Sequence, residues 1–126
     1  MSLRTPLGAV LGRGAARGGV HHWWSQRISA IALVPLTLWL LSALLSLPLA
    51  DHAAVTQWIA GGWHPLLLSL TVLVIAWHSE LGVQVVIEDY VHGAASKTVT
   101  LLLVKFAHWL AAAAAVYSVL RIAFRA

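Results

Sequence analysis

The chain has 126 residues, of which 60% are hydrophobic and 10% charged. Soluble domains carry about 45–50% and about 25%, so most of this surface must face lipid rather than water. No cysteine is present, which excludes thiolate-held iron–sulfur clusters, covalently attached haem and disulfides within the chain, and the net charge of +4 sits at segment ends, where it reads as membrane topology rather than a nucleic-acid footprint.

The elements follow in chain order. Residues 1–20 carry Arg4, Arg13 and Arg17 among glycines and prolines. They are expected to form a mobile segment on the inner side, or to lie on a partner. They lack the continuous apolar core of a secretory signal. Gly12–Gly19 (GRGAARGG) lacks the third glycine spacing of a dinucleotide loop, and no strand precedes it, so it is not read as a nucleotide site.

The first apolar run, Ile28 to Leu49, is 22 residues without a charge. Pro35 inside it predicts a kink. Residues 50–64 form a loop, with one interfacial turn expected around Val55–Ile59. The second run covers about residues 65–90 and is interrupted by His78 and Glu80. Residues 91–97 form a second loop. The third run, about 98–120, contains Lys105, for which no partner is evident and which is expected to snorkel inward, and His108. Each run exceeds or approaches the roughly 20 residues needed to cross about 30 Å of hydrocarbon. Continuous runs of this kind are helices and not the alternating strands of a barrel. The fold class is therefore an all-α membrane protein with three transmembrane helices. Small residues such as Ala111 to Ala115 permit close helix packing. Three such helices look incomplete alone, so they are expected to form part of a multi-subunit bundle.

Orientation follows from the basic residues. Arg4, Arg13, Arg17, Arg27 and Lys97 fall on one side, and Arg121 and Arg125 on the other. This imbalance places the N-terminus inside and the C-terminus outside. In a bacterial inner membrane that means cytoplasmic and periplasmic.

Ionisable groups inside spans are costly and mark function. Among the seven histidines, only His78 and His108 fall well within a span. Twelve residues at about 1.5 Å each place His78 about 18 Å from Tyr90, near mid-bilayer. Its Nε2 is a good haem-iron ligand, and Gly82 one turn on leaves room for a flat macrocycle. A hydrogen bond to a neighbouring helix is the alternative. His108 lies at similar depth, so a second imidazole could come from this chain or from another subunit. Asp89 is eleven residues after His78, about 20° away on the helix. One face then carries His78, Gly82, Val85 and Asp89. Tyr90 OH can donate to a carbonyl oxygen such as that of a quinone, with Asp89 beside it. A plain interfacial anchor is the alternative. Arg27 suits anionic propionates or a quinone oxygen, or serves positive-inside anchoring.

Two stretches carry a resemblance. HHWWSQRISAIALVPLTLWL, from His21, resembles the first helix of the hydrophobic membrane anchor family of succinate dehydrogenase, respiratory complex II. HSELGVQVVIEDYVH, from His78, resembles that family's second helix, most closely in alphaproteobacterial versions. The resemblance covers about residues 18–93. It implies that residues 21–126 form a three-helix membrane anchor, and that His78 is an axial ligand of haem b. The second ligand would come from a companion cytochrome b subunit, leaving His108 without an iron-binding role. Arg27, His21 and Gly82 would form the haem environment, and Tyr90 and Asp89 part of a ubiquinone site. An iron–sulfur subunit and a flavoprotein subunit would complete the complex. A fumarate reductase anchor, and a stand-alone b-type cytochrome ligated by His78 and His108, are the competing readings.

Overall fold

The computed structural model describes Leu7 and residues 19–124. The expectation for residues 1–20 therefore falls almost wholly outside the described residues. Four helices follow one another: α1 (Gly19–Ser46), α2 (His52–Ala60), α3 (His64–Tyr90) and α4 (Ala94–Ala123). Among the described residues there is no strand.

Three of these helices are long and apolar enough to cross a membrane. At about 1.5 Å per residue each exceeds 30 Å of hydrocarbon by a turn or more at its ends. Helix α1 therefore already includes the His21–Arg27 stretch. It ends at Ser46, short of the Leu49 limit expected from hydropathy, because Leu47 precedes Pro48 and that position disfavours helix. It runs unbroken through Pro35, and Thr37 Oγ1 donates to the Leu33 carbonyl, 2.6 Å away on the preceding turn. The second loop contracts to residues 91–93, because α4 starts at Ala94. Lys97 Nζ then donates to the Glu88 carbonyl at 2.8 Å, a cation closing the carbonyl end of α3.

The first loop holds more structure than one turn. Asp51 caps α2, its Oδ1 accepting from the backbone N–H of Ala53 and Ala54 at 2.9 and 3.2 Å. Gly62 follows with φ of +51°, a left-handed conformation that glycine adopts without strain. The turn brings His64 back onto α2. Its ring stacks on Trp58 with centroids 4.2 Å apart, and its Nδ1 donates to the Trp58 carbonyl at 2.6 Å. Trp39 of α1 stacks on Trp58 at 5.7 Å and lies 6.2 Å from the His64 ring. This aromatic triangle ties α1, α2 and α3 together at one end of the molecule.

Helix α3 is central. It packs antiparallel to α1 on one side and to α4 on the other, while α1 and α4 do not pack together. The buried faces are small and polar. Helix α1 buries Ser25, Ser29, Leu36 and Ala43. Helix α3 buries Thr71, Ala76, Glu80, Leu81 and Ile87. Helix α4 buries Ala112 alone among its described residues. Lipid tails are as apolar as leucine, so helices associate in a membrane through close approach and hydrogen bonds rather than hydrophobic drive. Large apolar side chains such as Ile31, Leu38, Leu45, Leu103, Phe106 and Leu110 point outward.

Candidate functional site

His78 is half-buried on the face of α3 that meets α1. Its Nδ1 lies 2.9 Å from Ser29 Oγ, and its Nε2 lies 3.4 Å from the side-chain nitrogen of Gln26. Ser29 is fully buried. Its hydroxyl is also 3.1 Å from the Gln26 carbonyl oxygen. The carbonyl can only accept, so the Ser29 hydroxyl can donate there and its oxygen can then accept from His78 Nδ1–H, an arrangement these distances accommodate.

The residues here fit the haem iron that the resemblance implies. A metal-binding histidine donates one N–H to a fixed acceptor and turns its other nitrogen to the metal; Ser29 Oγ stands 2.9 Å from Nδ1 as that acceptor, and the Gln26 amide, 3.4 Å from Nε2, would have to move aside for iron to bind. Gly82 lies one turn on from His78: a Cβ there would stand 3.7 Å from the Gln26 side-chain nitrogen and meet nothing nearer. The cleft beside it, about 660 Å³, is lined by Gly19, His22, Trp23, Gln26, Gly82, Gln84, Val85 and Glu88, and His78 lies behind Gln26 rather than in its lining. His22 Nε2 and Gln26 Oε1 are buried there without a hydrogen-bond partner among the described residues. Buried polar atoms are seldom left so, and these two point to a polar group that this chain does not supply.

The other expected residues are distributed as follows. His21 is exposed, at the mouth of a neighbouring cleft. Arg27 is exposed, with its guanidinium 5.2 Å from the centre of the Trp23 ring, a cation–π contact. Tyr90 is 77% exposed at the end of α3, with Asp89 exposed beside it. Glu88 rather than Asp89 lines the cleft, and Gln84 donates to Glu88 Oε1 at 2.7 Å.

Sequence reading overlooked Gln26 and Ser29 as partners of His78. The signal was present: Ser25, Gln26 and Ser29 form a polar stripe at the start of an apolar helix, at a depth matching an imidazole that needs a partner.

Helix α4 supplies a second polar contact that sequence reading missed. Trp109 Nε1 donates to Glu80 Oε2 at 3.0 Å, and Lys105 Nζ lies 4.0 Å from Glu80 Oε1. Lys105 was expected to snorkel inward without a partner; instead it meets the buried carboxylate across the helix pair. His108 is level with this contact, but its Nδ1 donates to the Val104 carbonyl of its own helix at 2.8 Å. His78 is turned to α1 and His108 belongs to α4, and no hydrogen bond joins them. Among the described residues no three metal-ligating side chains cluster.

Three long apolar helices that carry an imidazole and a carboxylate among their apolar residues define a multi-pass helical membrane protein. A family model described as succinate dehydrogenase/fumarate reductase transmembrane subunit matches residues 1–120. The chain belongs to this family. It is similar to the succinate dehydrogenase hydrophobic membrane anchor subunit of Rickettsia bellii, with 40% identity over 62% of this chain and 62% of the relative. It is also similar to the succinate dehydrogenase membrane anchor subunit of Reclinomonas americana, at 30% identity over 71% and 77% of the two chains. With the hydrophobic membrane anchor subunit of Paracoccus denitrificans it shares 31% identity over 93% and 90%. The chain thus spans a little under two thirds of the Rickettsia bellii relative. No solved structure matches it.

Proposed function

We propose that this chain is the hydrophobic membrane anchor subunit of a succinate:ubiquinone oxidoreductase. It attaches a flavoprotein and an iron–sulfur subunit to the bacterial inner membrane. With a companion cytochrome b subunit it holds haem b and forms part of the ubiquinone site. The family description covers fumarate reductases as well, and the names of the relatives favour the succinate reading. Orientation follows the basic residues, with the N-terminus cytoplasmic and the C-terminus periplasmic.

The observation that carries this reading is the setting of His78: a half-buried imidazole inside the span, with Nδ1 2.9 Å from the buried Ser29 hydroxyl. His78 would hold the haem iron from this chain, together with a ligand from the companion subunit. Bound haem supplies one-electron redox chemistry inside the membrane. Gly82 leaves the space beside the ligand. His21 and Arg27 lie at the same end as Tyr90, where a guanidinium can bind propionates in bidentate fashion.

Tyr90 and Asp89 are proposed for the quinone. A quinone accepts two electrons and two protons on reduction, and a chain without cysteine supplies no thiolate-held iron–sulfur cluster for this step. What Tyr90 contributes is an O–H that donates to the quinone carbonyl oxygen and steadies the charge developing there. Asp89, adjacent and exposed, passes protons from the aqueous side. Both side chains project from the end of α3, free to meet a pocket completed by other subunits.

The test uses the purified complex. His78→Ala should abolish the native low-spin haem signal. Tyr90→Phe should leave that signal intact and lower quinone reductase turnover by about 10²-fold, the scale of a lost transition-state donor. Asp89→Asn should slow turnover and change its pH profile. A native haem spectrum in His78→Ala would refute the ligand assignment, and full turnover in Tyr90→Phe would remove the quinone assignment.

A further inference from the structure

We propose that Ser29 is a positioning residue for His78, holding the imidazole in the tautomer and ring orientation that present Nε2 to iron. The inference rests on the reading of His78 as the haem ligand and names what sets the state of that ligand.

The argument begins with the geometry of α1. Ser29 is one turn on from Gln26, and a helical serine there can return its proton to the carbonyl three residues back. It does so, at 3.1 Å. On this assignment the proton goes to that carbonyl and Ser29 Oγ accepts from His78 Nδ1–H, 2.9 Å away. Ser29 is wholly buried, so water does not compete for this contact. An acceptor fixed on Nδ1–H does two things to a metal-binding imidazole. It stops the proton from migrating to the nitrogen that must bind the metal. It also raises the basicity of the ring. A more basic ring favours ferric over ferrous iron.

Gln26 occupies a different place in the arrangement. Its amide nitrogen stands 3.4 Å from Nε2, the position the metal takes. Its Oε1 is buried without a partner among the described residues, so no bond from that oxygen ties the amide there. Gln26 therefore yields Nε2 on loading, while its backbone carbonyl continues to anchor Ser29. Serine at 29 is thus required for its oxygen and not for its volume.

The experiment compares four versions of the whole purified complex by haem midpoint potential and low-spin EPR g values: native, Ser29→Ala, Ser29→Thr and His78→Ala. The expected result is loss of the low-spin signal in His78→Ala, an upward shift of midpoint potential with altered g values in Ser29→Ala, and near-native values in Ser29→Thr, which keeps the hydroxyl. If His78→Ala loses the signal while Ser29→Ala keeps the native potential and g values, the inference fails and the ligand reading survives. If His78→Ala keeps the native signal, the ligand reading fails and this inference with it. Should Ser29→Ala fail to assemble, Ser29→Val and Ser29→Thr have equal volume and differ only in the hydroxyl. A shift in Val alone supports the role, and equal shifts in both overturn it.

Discussion

Gly82 and Gln26 show how finely one position is set. A methyl group at 82 would stand 3.7 Å from the Gln26 side-chain nitrogen, ordinary van der Waals contact. Gly82→Ala should therefore assemble with near-native haem content, and its added helix propensity offsets any crowding. A leucine would drive into the cleft that Gly82 shares with His22, Trp23 and Gln26. Gly82→Leu should lose most of the haem while the chain still inserts, read as pyridine haemochrome per chain. Undiminished haem in Gly82→Leu would mean that the macrocycle lies elsewhere. The same scale explains Arg27. Gln26 and Ser29 turn to α3, and Arg27, one residue from Gln26, projects outward over Trp23. A guanidinium so placed is available to groups outside this chain.

At the scale of elements, α4 is the least enclosed. It buries only Ala112 among its described residues, and its polar hold on α3 is the Glu80–Trp109 hydrogen bond with Lys105 nearby. Interhelical hydrogen bonds in membranes contribute about 0.6 kcal/mol on average, with a maximum near 1.7. Trp109→Phe keeps the ring and removes the donor, so a loss of about that size is expected. Glu80→Leu should cost more, because it also leaves Lys105 without its carboxylate. Detergent-induced unfolding of the purified complex measures both. Equal stability in all three proteins would show that α4 is held by contacts outside this chain. Lys105 itself is 62% exposed, so the hydrogen bond rather than the ion pair is the stronger part of this contact. Helix α2 is secured differently, through the Asp51 cap and the stack of Trp39, Trp58 and His64.

For the whole molecule the governing fact is the scarcity of interior. The buried apolar side chains of the described residues are Leu36, Ala43, Ala76, Leu81, Ile87 and Ala112. Three antiparallel helices with so small a shared core leave most of their side chains to lipid and, in the proposed complex, to the helices of the companion subunit. The arrangement places the start of α1, the end of α3 and the start of α4 at one end. Arg27 and Lys97 therefore share a side, as the charge count requires. Reporter fusions at the two termini should report a cytoplasmic N-terminus and a periplasmic C-terminus, and the reverse pattern would move the quinone residues to the outer face.

The membrane class and the three long apolar helices were legible in the sequence, because hydrocarbon thickness and the helical rise leave little freedom to an uninterrupted apolar run. The capped helix in the first loop was only partly legible, since hydropathy reports burial and α2 is defined by an aspartate cap and stacked rings. The partners of His78, Glu80 and Lys105 were not legible at all. Each lies on a different helix, and the rotation of one helix against the next follows from packing, which one strand of sequence read alone does not contain. The sequence therefore determined what must sit within the membrane, and the tertiary structure decided which polar atoms meet there.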